Sequence, residues 1–320
     1  MEESSRPEAP LIFVVGTTAT GKSGFAVEQA EKFGGVIVNA DSVQLYQKLN
    51  IGTAKPSSED FNRVRHYLFD CVEPPEQITA GEYHRKARDI VFEELKQQPV
   101  FLVGGSGFYV QAFEKGMLPS PKTPPDVLDE LNQQLEDKGV DSLFAELEQR
   151  DSEYSKRVSR NDSYRVIRAL SIMRTEGKSM TEIAKQFAEE QKQKRIPVQP
   201  LKIGLQVDRD VLRERVRKRC QGMIEAGLKQ EVEELLDKGL KDWAPMTSVG
   251  YKETVAHIKG ELSETEWLEH MVTSTMQLAK RQKTWFNREK EIRWFNVTSE
   301  LDQAAKVVSE WLEKTGNTYE

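Results

Sequence analysis

Cysteine is scarce in this chain of 320 residues, which contains only Cys71 and Cys220. Neither lies in a CxxC pair or beside histidines at a metal-binding spacing, so a disulfide framework and a zinc finger are both excluded. Long apolar runs are also missing, because the longest have the length of a strand rather than the roughly 20 residues that cross a membrane. The N-terminal segment MEESSRPEAP lacks the basic flank and apolar stretch of a secretory signal. We therefore expect a cytoplasmic protein without membrane contact.

Positive charge is concentrated in one part of an otherwise acidic chain. The formal net charge is −6, yet residues 156–219 contain 18 Lys and Arg against 8 Asp and Glu. Such a basic segment is typical of contact with a nucleic-acid backbone, but solvated helical faces also carry many charges. Charge alone leaves both interpretations open.

Residues 16–23 read GTTATGKS, a complete match to the phosphate-binding pattern GxxxxGK[ST]. The apolar run LIFVVG precedes them and a helix-like pattern follows, as this loop requires. Backbone N–H groups and the helix N-terminus would converge on phosphate oxygens, Lys22 would add charge, and Ser23 could ligate Mg²⁺. The motif predicts a diphosphate or polyphosphate ligand without identifying it as ATP. The predicted phosphate-binding residues are Gly16, Thr17, Thr18, Ala19, Thr20, Gly21, Lys22 and Ser23.

Further apolar runs at residues 36–40 and 100–103 alternate with helical patterns, which is typical of a parallel sheet covered by helices. Proline makes MLPSPKTPP incompatible with a helix interior, so we expect a linker there. The pattern then stays helical until LKIGLQV resumes a strand, and is helical again from Asp208 to Trp311. We predict an α/β fold with a P-loop NTPase-like parallel sheet core in residues 1–118. A helical insertion domain would occupy 119–200, and a mostly helical region, 201–320, would return to the core and complete the site.

The sequence lacks the acid that P-loop hydrolases place after a later strand. The run PVFLV is followed by Gly104, Gly105, Ser106 and Gly107. An acid does follow the second run, where Asp41 stands at the carboxyl end of a predicted strand, the edge at which open α/β sheets build their sites. Asp41 is a candidate base or metal-organising acid, or else a turn or helix cap. Ser106 could orient that carboxylate or a substrate, or be a plain turn serine.

Six more segments, together with the phosphate loop, resemble the tRNA dimethylallyltransferases from Leu11 to about Phe295. They read NADSVQLYQKLNIGTAKP, VGGSGFY, NDSYRVIRAL, MIEAGLKQEVEELL, SVGYKE and AKRQKTWF. The resemblance implies transfer of a dimethylallyl group from dimethylallyl diphosphate to the exocyclic N6 amine of the adenosine directly 3′ of the anticodon, with release of diphosphate. It also implies Mg²⁺ as the cofactor and a tRNA anticodon stem-loop as the partner. We expect a monomer.

The same resemblance assigns roles to single residues. Asp41 matches the general base, and Ser106 matches a residue that contacts the same nucleotide. Arg219 matches an arginine assigned to the diphosphate, although on charge alone it would be one solvated side chain of a basic helix. The expected catalytic residues are Asp41, Ser106, Thr18 and Arg219.

The tRNA-contacting stretches of the family match four segments of this chain and extend into the helical insertion domain. Their basic side chains could reach phosphates, whereas Trp285 and Phe286 could stack on a base or pack in a helix interface. The target adenosine would have to leave the anticodon stack to react. The expected tRNA-binding residues are Asp41, Ser42, Val43, Gln44, Ser106, Tyr164, Arg165, Arg168, Gly250, Tyr251, Lys252, Lys280, Arg281 and Trp285.

The chain departs from the family pattern at several positions. Thr17 replaces a usual proline and Ser106 replaces a threonine. Val158-Ser159-Arg160 and Leu128 stand where some members carry other residues. These last two departures affect individual contacts with RNA. With two cysteines the chain resembles the shorter bacterial form, without the zinc finger of eukaryotic members. Three alternatives remain open: an adenylate isopentenyltransferase acting on free nucleotide, a P-loop small-molecule kinase, and an RNA-binding nucleotide switch.

Overall fold

The computed structural model describes residues 9–118, 123–192 and 199–315. Two compact units divide the chain: a sheet unit, Met1–Glu114 with Pro197–Glu320, and a helical unit, Lys115–Ile196. The first eight residues, residues 119–122 of the expected linker, and residues 195–198 of the segment expected to close the insertion lie outside the described residues. No helix among the described residues is long and apolar enough to cross a membrane.

The sheet unit is built on six parallel strands in the order β3-β2-β4-β1-β5-β6. The strands are β1 (Leu11–Gly16), β2 (Val36–Asn39), β3 (His66–Tyr67), β4 (Val100–Gly104), β5 (Leu201–Gln206) and β6 (Arg293–Asn296). The predicted parallel α/β sheet is thereby confirmed. One detail of the prediction was wrong, because β6 pairs with β5 inside a region expected to be helical up to Trp311.

Helices connect and cover these strands. Among the described residues they are α1 (Lys22–Lys32), α2 (Ser58–Arg63), α3 (Ala80–Glu94), α4 (Gly107–Lys115), α5 (Pro125–Arg150), α6 (Ser152–Ser155), α7 (Ser163–Glu176), α8 (Met180–Lys192), α9 (Arg209–Glu225), α10 (Leu228–Asp237), α11 (Tyr251–Ile258), α12 (Glu264–Phe286) and α13 (Leu301–Lys314), with a 3-10 helix at Ala244–Thr247.

The core of the sheet unit forms because its central strands are apolar along their whole length. Every residue of β1 is buried, as expected for a parallel strand covered on both faces. In register, Val14 of β1 lies between Val103 of β4 and Ile203 of β5. Apolar residues of α1 and α13 pack against these strands, among them Ala30 and Val308. This rigid centre holds the loops that follow the strands.

The helical unit has an apolar core of its own, shared by α5, α7 and α8. Helix α5 is interrupted at Gly139, whose φ of +74° is accessible to glycine at little cost. Val158, one of the departures from the family pattern, packs in this core, whereas Leu128 is exposed.

Asp151 ends α5 and caps two helices, since its carboxylate accepts hydrogen bonds from the backbone N–H groups of Tyr154 at 2.9 Å and Thr181 at 2.7 Å.

Candidate active site

A cavity of about 470 Å³ opens at the carboxyl ends of the central strands. The phosphate loop forms one wall, and the segment after β2 and the glycine loop after β4 form others. Strand ends meet at one edge of a parallel sheet, so a loop after β1 and an acid after β2 come together there. The predicted residues that line the cavity are Thr18, Ala19, Gly21, Lys22, Ser23, Asp41, Gln44 and Arg219.

The phosphate loop has the backbone that its glycines allow. Gly16 has φ +144°, and a Cβ there would lie 2.2 Å from the carbonyl oxygen of Leu205. Gly21 has φ +88° and leads directly into α1. The hydroxyl of Thr20 donates to the carbonyl of Thr17 at 2.8 Å, which closes the loop. The helix N-terminus therefore faces the cavity with its first N–H groups free of a side-chain cap.

Lys22 supplies positive charge inside this loop. Its ammonium donates to the carbonyl oxygen of Thr17 at 2.6 Å. The pKa of Lys22 is lowered to about 8, mainly by burial; the carboxylate of Asp41 raises this pKa and the nearby Arg219 lowers it. Two cations and one carboxylate thus influence one another across the cavity. An anion bound between Lys22 and Arg219 would relieve their repulsion.

Asp41 is held by its own strand. The side chain of Asn39 accepts from the backbone N–H of Asp41 at 2.8 Å and donates to the carbonyl oxygen of Leu68 at 2.9 Å. The N–H of Val43 donates to Asp41 Oδ1 at 3.0 Å. Among the residues that the structure describes, none donates a hydrogen bond to Asp41 Oδ2. One carboxylate oxygen is therefore fixed and the other is available to a ligand in the cavity.

Ser106 supports the Asp41 segment from the neighbouring loop. Its Oγ accepts from the backbone N–H of Ser42 at 2.9 Å and donates to Ser42 Oγ at 3.2 Å. The two loops approach so closely that a Cβ on Gly104 would lie 2.1 Å from the carbonyl oxygen of Ala40. Ser106 thus bonds to the residue that follows Asp41 rather than to the carboxylate itself.

Arg219 reaches the cavity from α9. Burial lowers the pKa of its guanidinium, and Asp41 opposes that shift. Arg219 Nη2 donates to the carbonyl oxygen of Thr53 at 3.3 Å. The same carbonyl accepts from Gln44 Nε2 at 3.0 Å. Arg219, which is expected to bind diphosphate, and Gln44, which is expected to bind tRNA, therefore donate to the same backbone oxygen.

Sequence reasoning missed Gln282, which lies on α12 and lines the cavity. Its Oε1 accepts from the backbone N–H of Thr18 at 2.8 Å. A Cβ on Gly105 would lie 2.5 Å from Gln282 Nε2, so the glycine loop leaves room for this side chain. The sequence segment AKRQKTWF contains Gln282, but nothing local distinguishes it from other polar helical residues.

Trp285 and Phe286, considered as stacking partners for a base, take different positions. Trp285 is half-buried against Gly107, where a Cβ would lie 2.1 Å from the indole ring, and forms an edge contact with Phe108. Phe286 is 1% exposed and belongs to the core, which favours packing in a helix interface, one of the two alternatives left open, over stacking on a base.

The stretch around Gly250 contains both buried and exposed residues. Tyr251 is 0% exposed and its hydroxyl donates to Glu231 Oε1 at 2.6 Å, while Gly250 is buried as well. The Tyr251 side chain is therefore inaccessible to RNA in this structure, while the placement of Gly250 and Tyr251 in a tRNA-binding stretch stays a prediction. Lys252, Lys280 and Arg281 are exposed.

The helical unit carries the remaining expected tRNA residues on α7. Tyr164 is 77% exposed and Arg165 is exposed next to Asp162, with an N–O distance of 3.4 Å. Arg168 is half-buried and donates to Thr123 Oγ1 at 3.0 Å. An exposed aromatic ring beside an exposed guanidinium is a suitable surface for nucleotides.

A phosphate-loop motif after the first strand of a parallel sheet, in one cavity with a carboxylate and a second cation, defines a P-loop protein with a candidate anion-binding site. Comparison with known proteins identifies the family. The family described as IPP transferase matches residues 44–289. A tRNA dimethylallyltransferase of Bdellovibrio bacteriovorus is 48% identical over 303 residues, which cover 94% of this chain and 98% of that protein. Another, of Geobacter metallireducens, is 39% identical and covers 96% of this chain and 97% of its own length.

Solved structures agree with this result. The full-length tRNA isopentenylpyrophosphate transferase of Bacillus halodurans aligns with a TM-score of 0.70 and 29% identity, covering 96% of this chain and 98% of that one. A eukaryotic dimethylallyltransferase acting on tRNA aligns with a TM-score of 0.78 over 98% of this chain and 82% of its own, at 20% identity, and supports the fold alone. The chain belongs to the tRNA dimethylallyltransferases of the IPP transferase family, and it is a transferase.

Proposed function

We propose that the protein transfers a dimethylallyl group from dimethylallyl diphosphate to the exocyclic N6 amine of the adenosine directly 3′ of the anticodon in tRNA. The observation that carries this proposal is the placement of Asp41, with one free carboxylate oxygen, in the same cavity as Lys22 and Arg219. A base and a pair of cations in one cavity suit a reaction that removes a proton from one group and releases an anion from another.

The bond changes are those of a substitution at carbon. The amine nitrogen forms a bond to the allylic carbon, and the bond between that carbon and the diphosphate oxygen breaks. Diphosphate leaves with the electron pair, and Asp41 accepts the proton that the amine loses. No phosphoryl group is transferred, which agrees with a glycine rather than an acid after β4.

Negative charge grows on the leaving diphosphate as the bond breaks. The N–H groups at the start of α1, Lys22 and Arg219 would stabilise that charge. We assign diphosphate binding to Gly16–Ser23 on the same grounds; Thr18 would contribute its hydroxyl, because its backbone N–H donates to Gln282.

Ser23 fits a role in binding Mg²⁺. It is exposed at the first turn of α1, on the cavity wall beside Lys22. No group of three or more His, Cys, Asp or Glu side chains that could hold a metal occurs among the described residues. The Ser23 hydroxyl, together with the diphosphate oxygens and water, would hold the ion, which prefers oxygen ligands and supplies charge neutralisation on the leaving group.

The acceptor adenosine would be unstacked from the anticodon loop to reach Asp41, with an energetic cost offset by contacts in the pocket. Ser42 directly follows Asp41 and donates to Ser106, and Gln44 lines the same cavity, so these three side chains would contact the acceptor nucleotide. Exposed basic residues would contact the RNA backbone, in the helical insertion domain through Arg165 and in the sheet unit through Lys252, Lys280 and Arg281. We further propose that the protein acts as a cytoplasmic monomer.

Coupled release of diphosphate tests this function. Purified protein with Mg²⁺ and dimethylallyl diphosphate should release diphosphate in amounts that match the added unmodified tRNA. Diphosphate release that does not depend on tRNA but increases with added AMP would favour the enzyme that acts on free nucleotide. Transfer of label from [γ-³²P]ATP to a small acceptor would instead favour a kinase.

A further inference from the structure

The carboxylate of Glu231, on α10, accepts four hydrogen bonds. The backbone N–H groups of Asn50 and Ile51 donate to Oε2 at 3.0 and 2.9 Å. The N–H of Gly52 donates to Oε1 at 3.3 Å, and the hydroxyl of Tyr251 donates to the same oxygen at 2.6 Å. Three successive N–H groups of one loop therefore converge on a single side chain of a distant helix.

Tyr251 contacts both the carboxylate and the loop. Its ring is fully buried and packs on Gly52, where a Cβ would lie 2.5 Å from the ring. The loop thus contacts both the Tyr251 ring and the Glu231 carboxylate. Any side chain at position 52 would push the loop away from one or the other.

The loop held in this way ends at the backbone oxygens that organise the cavity. The carbonyl of Thr53 accepts from both Gln44 and Arg219, at 3.0 and 3.3 Å, and the carbonyl of Ala54 accepts a second bond from Gln44 at 3.1 Å. Thr53 and Ala54 directly follow the three residues that Glu231 binds. A shift of the loop would move the acceptor of Arg219.

We propose that Glu231 is a positioning residue, whose carboxylate sets the 50–54 loop and through it aligns Arg219 with the diphosphate and Gln44 with the acceptor nucleotide. This inference rests on the proposed function, because it assigns Arg219 to the diphosphate. Glu231 itself does not line the cavity. It acts on the reaction through the loop.

The chemistry of the contact requires a carboxylate. All four partners of Glu231 are donors, and an ionised carboxylate is an acceptor at both oxygens. Glu231→Gln keeps the shape but presents an NH₂ group to at least one donor, which leaves that donor unpaired. The change also removes one negative charge, which by Coulomb's law would favour an anion in the cavity. If Glu231→Gln loses diphosphate affinity, the cause would be displacement of the loop, because the change in charge alone would raise that affinity.

The test is the binding of inorganic diphosphate with Mg²⁺, measured by calorimetry on the full chain without tRNA. Glu231→Gln should weaken binding about tenfold, as expected when a binding group is displaced by a fraction of an ångström. Glu234→Gln is the matched control, with the same charge change on an exposed residue of the same helix, and should bind as the wild type does. In an Arg219→Ala background, Glu231→Gln should have less than about a twofold further effect, because residues that act through one another are not additive.

Gly52→Ala provides a second route to the same loop. It leaves the carboxylate intact and should also weaken diphosphate binding in the wild-type background but not in Arg219→Ala. Circular dichroism at the binding temperature identifies the variants that are folded. If folded Glu231→Gln or Gly52→Ala binds diphosphate as tightly as the wild type, or if their losses add fully to that of Arg219→Ala, the positioning role is refuted while the proposed function stands. A wild type that binds no diphosphate would instead refute the donor site of the proposed function, and this inference with it.

Discussion

The side-chain oxygen of Gln282 lies 2.8 Å from the backbone nitrogen of Thr18, across 264 residues of sequence. This contact ties α12 to the phosphate loop at the point where the loop faces the cavity. Because Gln282 also fills the space above Gly105, one side chain connects the loops after β1 and β4. The proposed donor site is therefore completed by a helix from the C-terminal part of the chain.

Replacement of Gln282 should disturb the phosphate loop. Gln282→Ala leaves the N–H of Thr18 without its acceptor, which costs about 1–3 kcal/mol of stability. We expect the KM for dimethylallyl diphosphate to rise about tenfold, measured by steady-state kinetics, with a lower melting temperature. Gln277→Ala, on an exposed position of the same helix, is the control. Equal kinetics for the two variants would contradict a role of Gln282 in the donor site.

Lys22 should matter more in the transition state than in the ground state. Charge on the diphosphate grows as the carbon–oxygen bond breaks, so Lys22→Ala should raise the donor KM and also lower kcat. The loss of one such charged donor corresponds to about 10²–10³ in rate. Lys32→Ala, at the exposed end of the same helix, should leave both constants unchanged. Unchanged KM and kcat in Lys22→Ala would mean that this loop is not the donor site.

Asp41→Asn tests the role of Asp41 as the base while keeping the fold of its segment. Asparagine can still accept from the N–H of Val43, so the segment should keep its shape and tRNA binding. The amine proton, however, loses its acceptor, and the single-turnover rate should fall by about 10²–10⁴. Filter binding measures tRNA affinity in parallel, and Asp89→Asn on the exposed surface of α3 serves as the control. Wild-type turnover in Asp41→Asn would exclude the base role.

Asp151 should stabilise the protein only where it is ionised. Burial raises its pKa, but hydrogen bonds from Tyr154 and Thr181 outweigh that effect and hold the pKa below its usual value. Since the folded pKa lies below the unfolded one, the contribution is complete above the model-peptide value of about 3.9 and is lost as pH falls through the folded pKa.

Thermal unfolding measured at several pH values tests this stabilisation by Asp151. Asp151→Asn should melt well below the wild type at pH 7, and the difference should narrow below about pH 4. The exposed Asp141 offers a control, because Asp141→Asn should change little at either pH. A melting difference for Asp151→Asn that is the same at pH 7 and pH 3 would refute the assignment.

The parts of the fold with a local sequence pattern were predictable. The run LIFVVG and GTTATGKS identify β1 and the phosphate loop because an apolar strand and a glycine-bounded turn are each encoded within a few residues. Strand β6 was not predicted, since it has only four residues and begins with the exposed Arg293 at the edge of the sheet. Strand β3, with two residues, gives no periodic signal at all.

The candidate site also contains some residues that could be predicted from the sequence and others that could not. Asp41 could be inferred because it directly follows a buried strand, and its position at the sheet edge is a consequence of parallel topology. Gln282 and Glu231 could not, because their partners lie 264 and about 180 residues away and only the packed helices bring them together. Tyr251 shows the limit of a resemblance, which predicts that a segment contacts tRNA but does not tell which of its side chains face inward.

The most direct test of the account is the site of modification on tRNA. Purified protein, Mg²⁺, dimethylallyl diphosphate and unmodified tRNA are combined, with a parallel reaction on free AMP, and the products are digested with nuclease and analysed by mass spectrometry. We expect one dimethylallyl group on the adenosine directly 3′ of the anticodon and none on AMP. Modified AMP with unchanged tRNA, or no modification of either, would contradict it.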